Sequence, residues 1–212
     1  MATPRPTYYI PIHGTWAIDE AEIAWWKMSG AFAQFAARSN VFQLYPDAVG
    51  LPFVWSSDIS GFKYNFSSGN RKHTDWRAGG YSLAYYLQNV PVSDRNLIIH
   101  SHGLQPVAYA AMLGVEFNNV ISVCSPIRSD MMDTYEILRL RSKHWLHLYS
   151  NRDLIGWLGQ FGDGRAFGSR KIDIPGVENQ HLKDINHTDV LKIGKRMDYW
   201  VTKGWFDFLR QD

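Results

Sequence analysis

Short apolar runs alternate along this chain with longer stretches in which apolar residues recur every three or four positions. The short runs are Thr7–Ile12, Phe53–Trp55, Asn96–His100, Val120–Cys124, Trp145–Tyr149 and Arg170–Ile174. Each is bounded by turn-forming residues and reads as a buried strand. Pro11 counts against the first run being a fully paired central strand, because proline has no N–H to give to a ladder. The longer stretches are Ala17–Arg38, Trp76–Val90, Leu104–Leu113 and Thr188–Leu209, and they read as helices. In the first, Ile18, Ile23, Trp26 and Ala33 recur near helical spacing, and Asp19, Glu20 and Glu22 sit where the helix dipole favours acids. Leu83 and Leu87 are four apart in the second; in the third, Pro106 falls in the opening turn, where a missing N–H costs little. Strands that alternate with helices predict a mostly parallel sheet of about six strands with helices on both faces. Two stretches fit neither pattern. Residues 57–75 are rich in Ser, Gly, Asn and aromatics, and residues 156–169 carry five glycines. Loops of such length in a compact domain tend to be functional, and these two are the candidate covers of a site.

At 212 residues the chain has the length of one domain, expected to span residues 1–212. Hydrophobic residues make up 45% and charged residues 20%, which excludes a disordered chain or a coiled coil. Twenty-two basic against twenty acidic residues give a net charge of +2 and no electrostatic case for nucleic acid. A single cysteine, Cys124, excludes a disulfide scaffold and a multi-cysteine zinc site. The start of the chain carries no apolar stretch like a signal peptide, and no window reaches the roughly 18 apolar residues of a membrane span. A cytoplasmic location is the default expectation. Aromatic residues reach 15%, with nine Trp, so some of them are available to line an apolar pocket.

The chemistry concentrates at Ile98-Ile99-His100-Ser101-His102-Gly103. A buried strand runs onto a serine, and a glycine two positions later opens a helix. This is the pattern of a nucleophile elbow, which raises the hydroxyl above the sheet edge and aims backbone N–H groups from a helix start. The segment resembles the elbow of the α/β-hydrolase fold, in particular the serine esterases and lipases that carry His on both sides of the serine. It departs from them at Ile99 and Leu104, where small residues are usual. Ile12-His13-Gly14-Thr15-Trp16 resembles the His-Gly turn after the first core strand of lipases. The resemblance implies that the N–H groups of Thr15 and His102 form an oxyanion hole, each worth a few kcal/mol to the transition state. It also implies the chain order nucleophile, acid, base. Asp153, after the Trp145–Tyr149 run, is then the acid, and His187, just before the last helix, is the base.

Competing candidates follow from the same order. Asp130 and Asp133 follow the fourth strand, an alternative acid position in the fold, and His181 competes with His187. His187 is preferred because Thr188 can cap the following helix and so fix the loop. His100 and His102 form a His-x-His pair that could be taken for a metal site, with His144 and His147 in apparent support. The latter two sit three apart on a strand and so face opposite ways. The expected reaction is hydrolysis of a carboxylic ester through an acyl-enzyme, with no cofactor and no metal, on a small-molecule ester or lipid. His13, Trp16 and Trp157 are expected around the acyl pocket. The rival is a binding or accessory protein that keeps the fold without turnover, for which Ile99 and Leu104 leave room.

Overall fold

The computed structural model describes residues 8–14, 43–44, 70–153, 171–183, 186–187 and 202. The element order among them is β1 (Tyr8–Ile12), β2 (Gln43–Leu44), α1 (Asn70–Leu87), β3 (Asn96–His100), α2 (Leu104–Met112), β4 (Phe117–Val123), α3 (Met132–Leu140), β5 (Ser142–Tyr149) and β6 (Glu178–His181). The six strands form one sheet in the order β2-β1-β3-β4-β5-β6, and every neighbouring pair is parallel. From β1 the chain steps to one side for β2 and returns to the other side for β3. That reversal opens a crevice between the carboxyl ends of β1 and β3, the place where open α/β sheets bind ligands.

The near-continuous apolar runs are explained by burial on both faces. One face presents Ile10, Ile12, Leu97, Ile99, Val120 and Trp145, packed with Trp76, Leu83 and Leu87 of α1, Leu104, Val107 and Ala108 of α2, and Tyr135 and Leu138 of α3. On the other face Ile98, Ile121, Leu146 and Leu148 are equally buried. Among the described residues no helix is long and apolar enough to cross a membrane.

Pro11 is accommodated in a strand with neighbours on both sides. Among the described residues β2 pairs with Tyr8 and Tyr9, whereas β3 pairs with Ile10, Pro11 and Ile12.

Three sequence expectations are corrected. The strand expected at Arg170–Ile174 is not one over its described residues, 171–174; the sixth strand is Glu178–His181. The apolar alternation there reflected burial, since Ile172 and Ile174 are both core residues. The main chain of Ile172 is held instead by the Asn179 side chain, with Ile172 N donating to Oδ1 and Nδ2 donating to the Ile172 carbonyl, both at 2.9 Å. β6 lies at the edge of the sheet among the described residues, and its side chains are exposed or half-buried, which suits its polar sequence. The second correction is that the helix expected from Trp76 begins at Asn70, so the last six residues of the expected 57–75 cover are helical and His73 lies on α1 rather than in a loop. Third, α3 is a helix that no expectation named. The expected strand Phe53–Trp55, the helices Ala17–Arg38 and Thr188–Leu209 (apart from Thr202, which is helical), and residues 57–69 and 156–169 lie outside the described residues.

α1 crosses α2 through Gly80. A Cβ there would stand 2.7 Å from the Tyr109 Cβ and 3.1 Å from both Ala110 N and the Pro106 carbonyl oxygen. Gly80→Ala would gain up to about 1 kcal/mol of helix propensity but forces two backbones apart, an overpacking cost of about 1–3 kcal/mol. We expect a net loss of stability, read as a lower urea midpoint with unchanged slope. A midpoint at or above that of the parent would contradict this packing.

Candidate active site

β3 ends at His100 in extended conformation, and Ser101 turns the chain with φ 54°. A serine with positive φ is uncommon and costs of order 1–3 kcal/mol, so the surroundings must hold it there. Two glycines show how. A Cβ on Gly14 would lie 2.7 Å from the Ser101 Cβ and 3.2 Å from its Oγ. A Cβ on Gly103 would lie 2.6 Å from the carbonyl oxygen of His13 and 3.0 Å from that of Ile12. The turn after β1 therefore lies against the serine hydroxyl, and the start of α2 is pressed onto the end of β1. Neither position admits a side chain without displacing main chain.

The neighbouring strand repeats the geometry. His100 and Val123 are in register, and Cys124, directly after Val123, also has positive φ, 49°. Cys124 is buried. Gln105, on the first turn of α2, donates from Nε2 to the Pro126 carbonyl at 3.1 Å and so ties the helix to the segment after β4.

Beyond β5 the chain folds into a tight turn in which Asp153 N donates to the Ser150 carbonyl and Arg152 N to Ser150 Oγ. The turn presents the Asp153 carboxylate, 3% exposed, to His187, 6% exposed. His187 Nδ1 donates to Asp153 Oδ1 at 2.8 Å. With the proton on Nδ1, Nε2 is left as an acceptor. The competing acids lie elsewhere. Asp130 takes both of its oxygens to Arg128, which donates from Nε at 2.9 Å and from Nη2 at 2.7 Å. Asp133 is exposed on α3, and His181 is exposed at the end of β6, its ring 5.3 Å from that of Tyr149.

The histidines around Ser101 go to separate partners. His100 Nε2 donates to the main-chain carbonyl of His187 at 2.9 Å, an interaction that no residue pattern had signalled. His102 stacks on Trp76, with centroids 6.1 Å apart and planes 18° from parallel, and Arg128 lies over the other partner in that stack, 5.5 Å from the Trp76 ring. His13 is fully buried and donates from Nδ1 to the Gly14 carbonyl. Deeper in the sheet, Ser122 Oγ and His147 Nδ1 share a hydrogen bond of 2.8 Å and Trp145 Nε1 donates to the same hydroxyl. Thr15, Trp16 and Trp157 lie outside the described residues.

Solved structures share the fold over the full length of the chain. A carboxylesterase of Nitrososphaera gargenis superposes with a TM-score of 0.56 at 12% identity, and the match covers 100% of this chain and 94% of that one. A dienelactone hydrolase-like promiscuous phosphotriesterase from metagenomic libraries gives 0.54 at 13% identity, with coverage of 100% and 88%. The chain has the α/β-hydrolase fold. A third α/β-hydrolase-type neighbour, a CIB-like hydrolase from Thermoplasma acidophilum, gives 0.51 at 14% identity, with coverage of 100% and 90%. No family model matches the sequence, and no curated protein matches it significantly. The α/β-hydrolase fold places strand ends β1, β3 and β5 on one edge, where Gly14, Ser101 and Asp153 stand.

Burial pushes the His13 ring down to about 4, partly offset by its bond to the Gly14 carbonyl. Burial, and then the neighbouring His187, push His100 down to about 3. Both rings are neutral in the folded chain, whereas an unfolded histidine takes a proton near 6.5. The unfolded state therefore binds more protons between pH 6.5 and about 4, and stability falls as pH falls through that window. Each ring contributes up to about 1.4 kcal/mol per pH unit there. We expect urea midpoints to decline from pH 7 to pH 5, with a slope about one proton smaller in His100→Gln. A slope indifferent to that substitution would show that His100 is not held neutral.

Proposed function

We propose that the protein is a serine hydrolase that cleaves carboxylic esters through an acyl-enzyme. The observation that carries this reading is the 2.8 Å bond between His187 Nδ1 and Asp153 Oδ1, formed by two buried residues at the edge where the strained Ser101 leaves β3. In this reading Asp153 fixes the tautomer that leaves His187 Nε2 free to accept the Ser101 proton. The serine oxygen attacks the ester carbonyl, and Asp153 stabilises the imidazolium that forms. The negative charge that develops on the carbonyl oxygen is met by the N–H groups of His102 and Thr15. Collapse of the tetrahedral intermediate expels the alcohol, which takes the proton from His187. Water, deprotonated by His187, then attacks the acyl group and releases the acid and Ser101.

The close approach of Gly14 to the serine hydroxyl supports the part given to Thr15, because the chain leaves Gly14 directly for that residue. The stack of His102 on Trp76 supports the part given to His102, since it holds that residue still. The carboxylesterase among the structural neighbours supports an ester as substrate. His13, Trp16 and Trp157 are proposed around the acyl group, His13 from beneath because it is fully buried.

Turnover of p-nitrophenyl esters of increasing chain length tests the assignment. Ser101→Ala should abolish it while leaving the thermal midpoint near that of the parent. Asp153→Asn should lower kcat by roughly 10⁴-fold, because an amide can donate to His187 Nδ1 and stabilise the wrong tautomer. Asp130→Asn should stay within about tenfold of the parent, a rise of no more than about 1.4 kcal/mol in the barrier. Turnover that survives Ser101→Ala, or that collapses in Asp130→Asn and not in Asp153→Asn, would refute the assignment.

A further inference from the structure

His187 is anchored at two points. Its ring donates to Asp153 beyond β5, and its main-chain carbonyl accepts from His100 Nε2 at the end of β3. The rings of His100 and His187 are also in contact, with centroids 4.5 Å apart and planes tilted by 51°. A ring held only through Nδ1 can pivot about that bond as its backbone moves. A second bond, to the residue's own carbonyl, removes that freedom by fixing where the Cα stands.

We propose that His100 is a positioning residue for the His187 base, setting the imidazole's place relative to Ser101 through its hydrogen bond to the His187 main-chain carbonyl. The proposal rests on the serine-hydrolase reading above. Three observations carry it. His100 is the residue before Ser101, so one short piece of backbone determines the positions of both nucleophile and base. Its side chain is buried, so the bond to the His187 carbonyl is shielded from bulk water, and losing the donor removes a buried partner of that carbonyl. The ring acts as an uncharged donor. A cation 4.5 Å from the His187 ring would oppose the imidazolium that must form during attack, and burial keeps His100 neutral.

The substitutions that test this are His100→Met, which keeps length but has no donor, and His100→Gln, whose amide N–H can still reach a carbonyl. Steady-state kinetics on one short p-nitrophenyl ester are compared with thermal midpoints and with Ser101→Ala. We expect His100→Met to lose about tenfold or more in kcat with little change in KM, since misplaced reacting groups cost rate before binding. We expect His100→Gln to return to within about threefold of the parent. Equal kcat in His100→Met and parent overturns the proposal, as does an equal loss in both variants at native thermal midpoints. If His100→Met does not fold, His100→Gln decides: kcat within about threefold of the parent supports the carbonyl bond, and a larger loss overturns it. Turnover that persists in Ser101→Ala overturns the underlying serine reading and the proposal with it. Loss in Ser101→Ala beside an indifferent His100→Met overturns the proposal alone.

Discussion

The main chain after β1 and the elbow after β3 approach so closely that neither Gly14 nor Gly103 has space for a Cβ. The rest of the site depends on that contact. Ser101 can stay in a left-handed conformation only because the start of α2 is pressed against the Ile12 and His13 carbonyls, which prevents the turn from relaxing. The contact in turn requires β1 and β3 to be adjacent, and it is the reversal of strand order between them that makes them so. Strand order, tight turn and the strained serine are thus consequences of one packing constraint at the switch point.

Electrostatics divide the surrounding groups into those that carry charge and those that must not. Asp153 is buried with His187 as its partner. Asp130 turns both of its oxygens to the buried Arg128 guanidinium, a commitment that sequence order alone did not reveal. His13 and His100 are neutral, and serve as donors to main-chain carbonyls. Neutral histidines suit this position, because they offer directional N–H groups without placing a positive charge beside His187, the proposed base.

Much of this was legible in the residues. The central runs of β3, β4 and β5 are mostly apolar and buried on both faces, as a parallel sheet between helices requires. The elbow could be read because a serine between a buried strand and a glycine-opened helix was paired with a second His-Gly turn at the end of an earlier strand. The juxtaposition of Asp153 with His187 was legible from chain order, since each follows a segment that ends on the same edge. What escaped did so for physical reasons. Ile172 and Ile174 alternate like a strand because both are buried, yet the Asn179 side chain takes the hydrogen bonds that a ladder would have used. β6 carries polar residues and was invisible to an apolar pattern. The first turns of α1, beginning Asn70-Arg71-Lys72-His73, lack an apolar stripe and so looked like loop. The bond from His100 to His187 joins residues 87 apart through a main-chain carbonyl, which no side-chain pattern encodes.

The central claim is that Ser101, and no other hydroxyl in the chain, is the activated nucleophile. Treatment of the folded protein with a fluorophosphonate, followed by peptide mass mapping, tests this most directly, because the reagent requires both an activated oxygen and a working oxyanion site. The account predicts one stoichiometric adduct on the peptide that contains Ser101, and no adduct after denaturation. An unmodified Ser101 in folded protein, or an adduct carried by a different residue, would contradict it.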